Sequence, residues 1–153
     1  MKIKLFVLTA VALAAGALAA TAFGAGSASV TIRHQLRGCH TWSVNGGVFR
    51  ASQTVRLQHG TFLTVTNNDV MPHQLIKLTG PSIRLKNLDT GTMGMGMHRT
   101  SIPGAMTMMG ASTRVFFTHP GTYRFTTKAG EDYMSGMKTI GEDNVLRLVV
   151  IVT

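Results

Sequence analysis

The stretch of sequence that decides the fold is residues 114–126, which read Arg-Val-Phe-Phe-Thr-His-Pro-Gly-Thr-Tyr-Arg-Phe-Thr. Residues 114–118 and 122–126 each alternate apolar with polar side chains, which is the pattern of a half-buried strand. His119-Pro120-Gly121 separates the two segments, and Pro followed by Gly is a turn signal. The stretch therefore predicts two short strands joined by a hairpin or a corner.

Strand patterns recur along the rest of the chain. Further strands are predicted over residues 30–36, 54–58, 61–66, 73–78 and 144–152. Asn67-Asn68-Asp69 and Gly80-Pro81 carry turn residues between them, and no segment sustains the 3.6-residue period of an amphipathic helix. Short strands separated by Gly, Pro and Asn turns predict an all-β sandwich or barrel.

The composition limits the size and class of the protein. The chain has 153 residues, of which 44% are hydrophobic and only 14% charged, with a formal net charge of +9 and one cysteine. This length fits one domain with a targeting segment. The low charged fraction excludes disorder driven by charge, and a single cysteine excludes an intrachain disulfide framework.

The N-terminus has the pattern of a secretory signal peptide. Lys2 and Lys4 precede an apolar run over residues 6–20, and small residues follow that run, as in a signal peptide with its cleavage site. We assign residues 1–28 to the signal peptide and residues 29–153 to the mature domain, which predicts a periplasmic or secreted protein. If the run is not cleaved, it would instead be a membrane anchor.

A methionine- and glycine-rich segment, residues 88–112, carries little strand pattern and is predicted to be a long loop. Met93, Met95 and Met97 alternate with glycines, and His98 follows them. Thioether sulfurs are soft ligands that suit Cu(I). The segment is therefore either a Cu(I)-binding loop or a flexible apolar flap, since methionine also fills irregular gaps.

Other residues that bind soft metals lie in three places along the chain. Cys39 and His40 are adjacent, His73 follows Met71-Pro72, and Met137 precedes the last predicted strand. An unpaired thiol outside the cytoplasm is prone to oxidation unless it is buried or bound. Cys39 is therefore either an inert buried thiol or a metal ligand.

Several of these segments together resemble the cupredoxins, the family of blue-copper proteins. Residues 68–73, with Pro72-His73 before a strand, look like the first copper-ligand segment, and residues 120–125 resemble the segment before the ligand loop. Gly136-Met137 resembles the axial-methionine end of that loop. The resemblance covers residues 50 to 153. It implies a Greek-key β-sandwich that binds copper and transfers electrons.

The chain departs from the cupredoxin pattern at two ligand positions. Thr127 stands where the family has its cysteine, and Asp132 stands where the second histidine is common. Threonine cannot supply the thiolate of a blue site, so an altered ligand set of Cys39, His40, His73 and Met137 is expected. Asp132, with Glu131, would then be a carboxylate ligand or a hydrogen-bond partner for a histidine N–H. The other explanation is a decayed site in a metal-free interaction or structural module.

These observations predict an exported copper-binding protein, engaged in electron transfer or copper carriage, rather than an enzyme. No catalytic triad, paired-carboxylate or phosphate-loop pattern stands out in the sequence. The basic residues are scattered from Arg33 to Arg147 without aromatic interleaving, which favours a solvated surface over a nucleic-acid site. The expected partner is a redox or copper-transfer protein, with no nucleic acid and with membrane contact at most peripheral.

Overall fold

The computed structural model describes residues 26–34, 40–88, 102–129 and 146–153. Within these ranges the chain forms ten strands and no helix, so no described helix has the length or apolar character needed to cross a membrane. The segments 1–25, 35–39, 89–101 and 130–145 lie outside the described residues. The predicted boundary between the signal peptide and the mature domain at residue 28 stays a prediction.

The ten strands form two five-stranded mixed sheets. The first sheet has the order β2-β1-β4-β8-β6 and consists of β1 (Ala28–His34), β2 (His40–Val44), β4 (Phe62–Asn67), β6 (Ile83–Leu88) and β8 (Ser112–Phe117). The second has the order β3-β10-β9-β5-β7 and consists of β3 (Ser52–Leu57), β5 (His73–Thr79), β7 (Ala105–Met106), β9 (Gly121–Ala129) and β10 (Arg147–Val152). β1 runs parallel to β4 and β3 runs parallel to β10, whereas the other pairs are antiparallel.

The two sheets share one hydrophobic core. Side chains of a strand point alternately to its two faces, and in β4 and β10 every second residue is buried. The largest fully buried apolar side chains of this core are Trp42, Tyr123, Phe125, Ile32, Leu63, Met106, Leu146 and Leu148. The all-β sandwich expected from the alternation is confirmed.

The chain turns a corner between β8 and β9. The two strands belong to different sheets, so His119-Pro120-Gly121 forms the corner rather than the hairpin of the two predicted alternatives. The Tyr123 hydroxyl donates a hydrogen bond to the main-chain carbonyl of His119 at 2.5 Å. A tyrosine that bonds back to the backbone just upstream is a recurrent device at the corners of β-sandwiches.

The prediction of an unstructured loop over residues 88–112 is wrong at its ends. Leu88 ends β6, Ser112 begins β8, and β7 lies inside the segment. Met106 of β7 is fully buried and pairs with His73 of β5. This short strand is hidden in the sequence because two residues are too few to show a period and Pro103-Gly104 before it predicts a turn.

Candidate metal centre

Three buried polar side chains meet at one end of the sandwich. His40 begins β2, Asp69 lies in the turn after β4, and His73 begins β5. One ligand atom from each of the three residues lies within 4.8 Å of the other two. His40 is far in sequence from Asp69 and His73, but the ends of strands from both sheets gather there, as they do at the poles of a sandwich.

The two imidazoles converge on a single carboxylate oxygen. Oδ2 of Asp69 is 3.3 Å from Nε2 of His73 and 3.5 Å from Nε2 of His40. The ring centroids of the two histidines are 4.7 Å apart, and the ring planes are almost perpendicular at 88°. All three side chains are at most 3% exposed, so water contributes little to their solvation.

A pair of side-chain turns holds the Asp69 carboxylate in place. Oδ1 of Asn67 accepts a hydrogen bond from the Asp69 main-chain N–H at 2.9 Å. Oδ1 of Asp69 in turn accepts the Met71 N–H at 3.0 Å. Asn and Asp form such bonds to the backbone two residues on. One carboxylate oxygen of Asp69 therefore fixes the turn, while the other faces the imidazoles.

Asn67 ties this turn to a second segment of the chain. Its side-chain amide is fully buried and donates hydrogen bonds to the carbonyls of Met71, at 2.8 Å, and Met106, at 3.2 Å. Its main-chain N–H donates to the carbonyl of Ala111 at 2.9 Å. The residue thus connects the end of β4 with the Asp69 turn and with the segment that contains β7.

The backbones of both histidines are held by strand pairing. His73 pairs with Met106 of β7 on one side and with Ala129 of β9 on the other. His40 pairs with His34 of β1. Because each histidine is the first residue of its strand, its side chain lies next to the loops at this end of the sandwich. Placement on paired strands gives a site more precise geometry than placement on loops.

The chemistry of this cluster suits a metal ion or a hydrogen-bonded network. Imidazole nitrogen binds Zn, Cu, Fe and Ni, and nitrogen combined with oxygen ligands fits Cu(II). Zinc sites also use histidine and aspartate. Without an ion, a carboxylate accepts an N–H from each of two imidazoles when their tautomers allow it. The geometry of the three residues is compatible with both arrangements.

The structure brings together two of the four predicted ligands, His40 and His73. Cys39 and Met137 lie outside the described residues, as do Glu131, Asp132, Met93, Met95, Met97 and His98. The metal-binding roles of all these residues stay predictions. Asp69 is predicted as a turn residue and lies in the segment, residues 68–73, that resembles the first copper-ligand segment, but it is not predicted as a ligand. An aspartate four residues before a candidate histidine ligand is a signal that could have pointed to it.

Comparisons by sequence retrieve nothing for this chain: no protein-family model matches, and no curated protein matches. Solved structures do match, at low similarity. A multi-copper oxidase from Pediococcus acidilactici has a TM-score of 0.43 and 12% identity, over 99% of this chain and 31% of that one. This chain therefore spans about a third of the length of the oxidase.

Two small copper proteins are also similar in structure. Rusticyanin from Thiobacillus ferrooxidans has a TM-score of 0.38 and 15% identity, over 85% of this chain and 79% of that one. A methionine-to-alanine mutant of amicyanin, in its Cu(I) form, has a TM-score of 0.35 and 13% identity, over 82% of each chain. These neighbours are cupredoxins, the family that the sequence resembles. At such TM-scores and identities they carry no argument about ligands or activity.

Proposed function

We propose that this chain is an exported copper-binding protein whose metal site is built on His40, Asp69 and His73. The observation that supports the proposal is the convergence of both Nε2 atoms on Oδ2 of Asp69, at 3.3 and 3.5 Å, in a cluster that is at most 3% exposed. Three polar groups are costly to bury unless they are paired or coordinate a metal. A bound cation would compensate the aspartate charge and use both imidazole nitrogens.

Each residue of the triad has a distinct part in the proposed site. His40 and His73 would hold the ion through Nε2, and Asp69 would supply an oxygen ligand or orient the two imidazoles. Copper, when bound, supplies a one-electron couple between Cu(II) and Cu(I). The protein contributes ligand positions that are fixed by the backbone of β2 and β5. It also largely excludes water from the site. Both factors influence the affinity and redox potential of a metal centre.

Two soft ligands, Cys39 and Met137, would complete the proposed site. Cys39 is the covalent neighbour of His40, and Met137 matches the axial methionine of the cupredoxin pattern. Thiolate and thioether ligands favour Cu(I), so they would let one site accept both oxidation states. Glu131 and Asp132 remain proposed as further carboxylate ligands or as partners of a histidine N–H.

Two roles follow from copper binding, and the methionine-rich segment distinguishes them. An electron-transfer site retains its copper and cycles reversibly, whereas a carrier exchanges copper with a chelator or a partner protein. Met93, Met95, Met97 and His98 would acquire Cu(I) in a carrier. Deleting residues 91–99 should therefore abolish copper exchange in a carrier and leave the redox cycle of an electron-transfer protein intact.

The alternative function is a metal-free interaction or structural module. It draws on the same 3.3 Å distance between His73 Nε2 and Asp69 Oδ2, since a hydrogen-bonded network of His40, Asp69 and His73 also satisfies these buried groups. In that case replacement of either histidine changes only the stability of the fold.

The test is a copper and zinc titration of the purified protein and its histidine variants, followed by metal analysis after dialysis. His40→Ala and His73→Ala should each abolish stoichiometric binding of Cu(II). His59→Ala and His119→Ala are matched controls, because these two histidines are exposed, and they should bind as the parent does. Stoichiometric binding that survives in both buried-site variants would overturn the proposal, and absence of binding in the parent would favour the metal-free module.

An absorption spectrum of the Cu(II) form tests the role of Cys39. Neighbouring residues of an extended strand face opposite sides, so Cys39 and His40 bind one ion only if the chain bends at the start of β2. A thiolate charge-transfer band that disappears in Cys39→Ser would support ligation by Cys39. A spectrum unchanged by that substitution would exclude Cys39 as a ligand.

A further inference from the structure

The described surface of the protein is basic throughout. The described residues include ten Lys and Arg but one acidic residue, Asp69, which is only 1% exposed. The other five acidic residues of the chain lie outside the described residues. The formal net charge of the whole chain is +9. A surface with an excess of positive charge attracts polyanions, and the arrangement of the described cations indicates which kind.

Cations and aromatic rings are interleaved on the outer face of the first sheet. This Arg–Phe face consists of Phe62 on β4, Arg84 and Lys86 on β6, and Arg114 and Phe116 on β8. Leu63, Val115 and Phe117 on the same strands are buried in the core, so the alternating residues of the Arg–Phe face point away from it. The interleaving that the linear sequence lacks is produced by strand pairing.

The two arginines are stacked on the two rings. The guanidinium carbon of Arg114 is 4.1 Å from the centroid of the Phe62 ring, and that of Arg84 is 4.9 Å from the centroid of Phe116. Both distances are within the range of cation–π attraction. Stacking fixes the planes of the guanidinium groups, so less freedom is lost when their edges bind the oxygens of an anion.

Strand register also places like charges side by side. Lys86 lies directly opposite Arg114 in the antiparallel pair of β6 and β8, and like charges at such positions destabilise a sheet. Arg84 is two residues from Lys86 on the same face. A layer of phosphate groups over these three cations would relieve their repulsion, since arginine binds phosphate through two parallel N–H bonds.

Three features favour a membrane surface as the occupant. The ring faces are already covered by arginines, which disfavours the base stacking of a single-stranded nucleic acid. The most exposed large apolar side chains, Val48, Val70, Leu78, Ile102 and Met109, all lie off β4, β6 and β8. Phe62 and Phe116 are only partly exposed, so the face offers little apolar surface for a protein interface. An array of cations on a sheet instead complements an array of lipid phosphates.

The Arg–Phe face lies away from the candidate metal centre. Phe62 and Phe116 pair at the start of β4, whereas Asp69 follows the end of that strand. Five residue steps along β4 correspond to about 16 Å. Contact at the Phe62 end would leave the pole with His40 and His73 accessible to a partner.

We propose that the Arg–Phe face docks the protein on membranes that contain anionic phospholipids, through contacts of Arg84, Lys86 and Arg114 with lipid phosphates. The contact is peripheral, reversible and weakened by salt, because charge attraction to the headgroups falls off within a Debye length. The proposal stands independently of copper binding, so it is tested on both metal-free and copper-treated protein.

The test is sedimentation of the full chain with phosphatidylcholine vesicles, with and without phosphatidylglycerol, at low and high salt. Arg84→Gln combined with Lys86→Gln should weaken binding to the anionic vesicles by about thirtyfold. The matched control is Arg56→Gln combined with Arg124→Gln, which removes the same charge from exposed positions on the second sheet and should bind close to the parent. Any contribution of the apolar N-terminal segment is common to both variants and cancels.

Two single variants keep the test decisive if the double variant is unstable. Lys86→Gln leaves both arginine–ring stacks in place and should weaken binding about fivefold. Arg84→Lys keeps the charge but loses the stacked planar group that binds phosphate through two N–H bonds, so it should weaken binding by less than about fivefold. Equal losses in the two double variants, unchanged binding to anionic vesicles in the Arg84 and Lys86 double variant, or binding to poly-L-glutamate without binding to anionic vesicles would each overturn the proposal. The last result would point instead to an acidic protein partner.

Discussion

Nε2 of His73 lies 3.3 Å from Oδ2 of Asp69, the residue four positions earlier in the chain, and both side chains are fully buried. The contact joins the start of β5 to the turn that follows β4. These two strands belong to different sheets, so the pair sits where the sandwich closes at one pole. His40, from the first sheet, completes the cluster on the same carboxylate oxygen.

Asp69→Asn tests the role of Asp69 in metal binding separately from its role in the turn. The amide oxygen of asparagine can still accept the Met71 N–H that Asp69 now accepts at 3.0 Å, so the turn should persist while the negative charge is lost. We expect the affinity for Cu(II) to fall at least tenfold, measured by competition with a chelator of known affinity. Unchanged affinity would show that the Asp69 charge neither binds the ion nor supports the imidazoles that bind it.

Asn67→Ala should destabilise the fold through lost hydrogen bonds. Its buried amide donates to the carbonyls of Met71 and Met106, which would be left without that donor. We expect the free energy of unfolding to fall by about 3 kcal/mol, from unsatisfied polar groups and a small cavity, measured by urea denaturation. Asn68→Ala is the matched control, since the adjacent Asn68 is exposed; an equal loss in both variants would contradict this role for Asn67.

The strands that could be predicted are those with one buried face. β4 and β10 show the alternation directly. β2 was missed because it is buried on both faces while carrying polar residues: the Thr41 and Ser43 hydroxyls donate to the carbonyls of Arg33 and Gly47. Hydropathy cannot reveal a strand whose buried positions are polar. β6 was not predicted either, although residues 83–86 alternate apolar with polar side chains; its apolar residues are only partly buried.

The candidate site was predictable only in part, for a topological reason. His40 and His73 were recognised by residue type, but their meeting depends on how the two sheets close over each other, which spacing along the chain does not encode. Asp69 was hidden by its second role, because its Oδ1 forms the turn that the Asn67-Asn68-Asp69 pattern predicts. A carboxylate with two oxygens serves both purposes at once.

Comparison of alanine substitutions at Gly80 and Gly60 distinguishes steric crowding from backbone strain. Both have positive φ, +108° and +86°, but a Cβ at Gly80 would lie 2.9 Å from the carbonyl oxygen of Thr122, whereas one at Gly60 would meet no atom within 4 Å. We expect Gly80→Ala to lower the free energy of unfolding by about 3 kcal/mol and Gly60→Ala by about 1 kcal/mol. Urea denaturation of the two variants measures both; similar losses would mean that the β9 backbone yields to the added methyl.

Metal binding should stabilise the folded chain, because the triad exists only when the poles of both sheets are assembled. A ligand that binds only the folded state adds about 2.7 kcal/mol of stability at a hundred times its dissociation constant. Cu(II) should therefore raise the free energy of unfolding of the parent and leave that of His73→Gln unchanged. Since the ligands must be deprotonated to bind, the increment should shrink as the pH falls. An equal increment in parent and variant would mean that copper binds elsewhere, and no increment in either would favour a hydrogen-bonded triad that needs no metal.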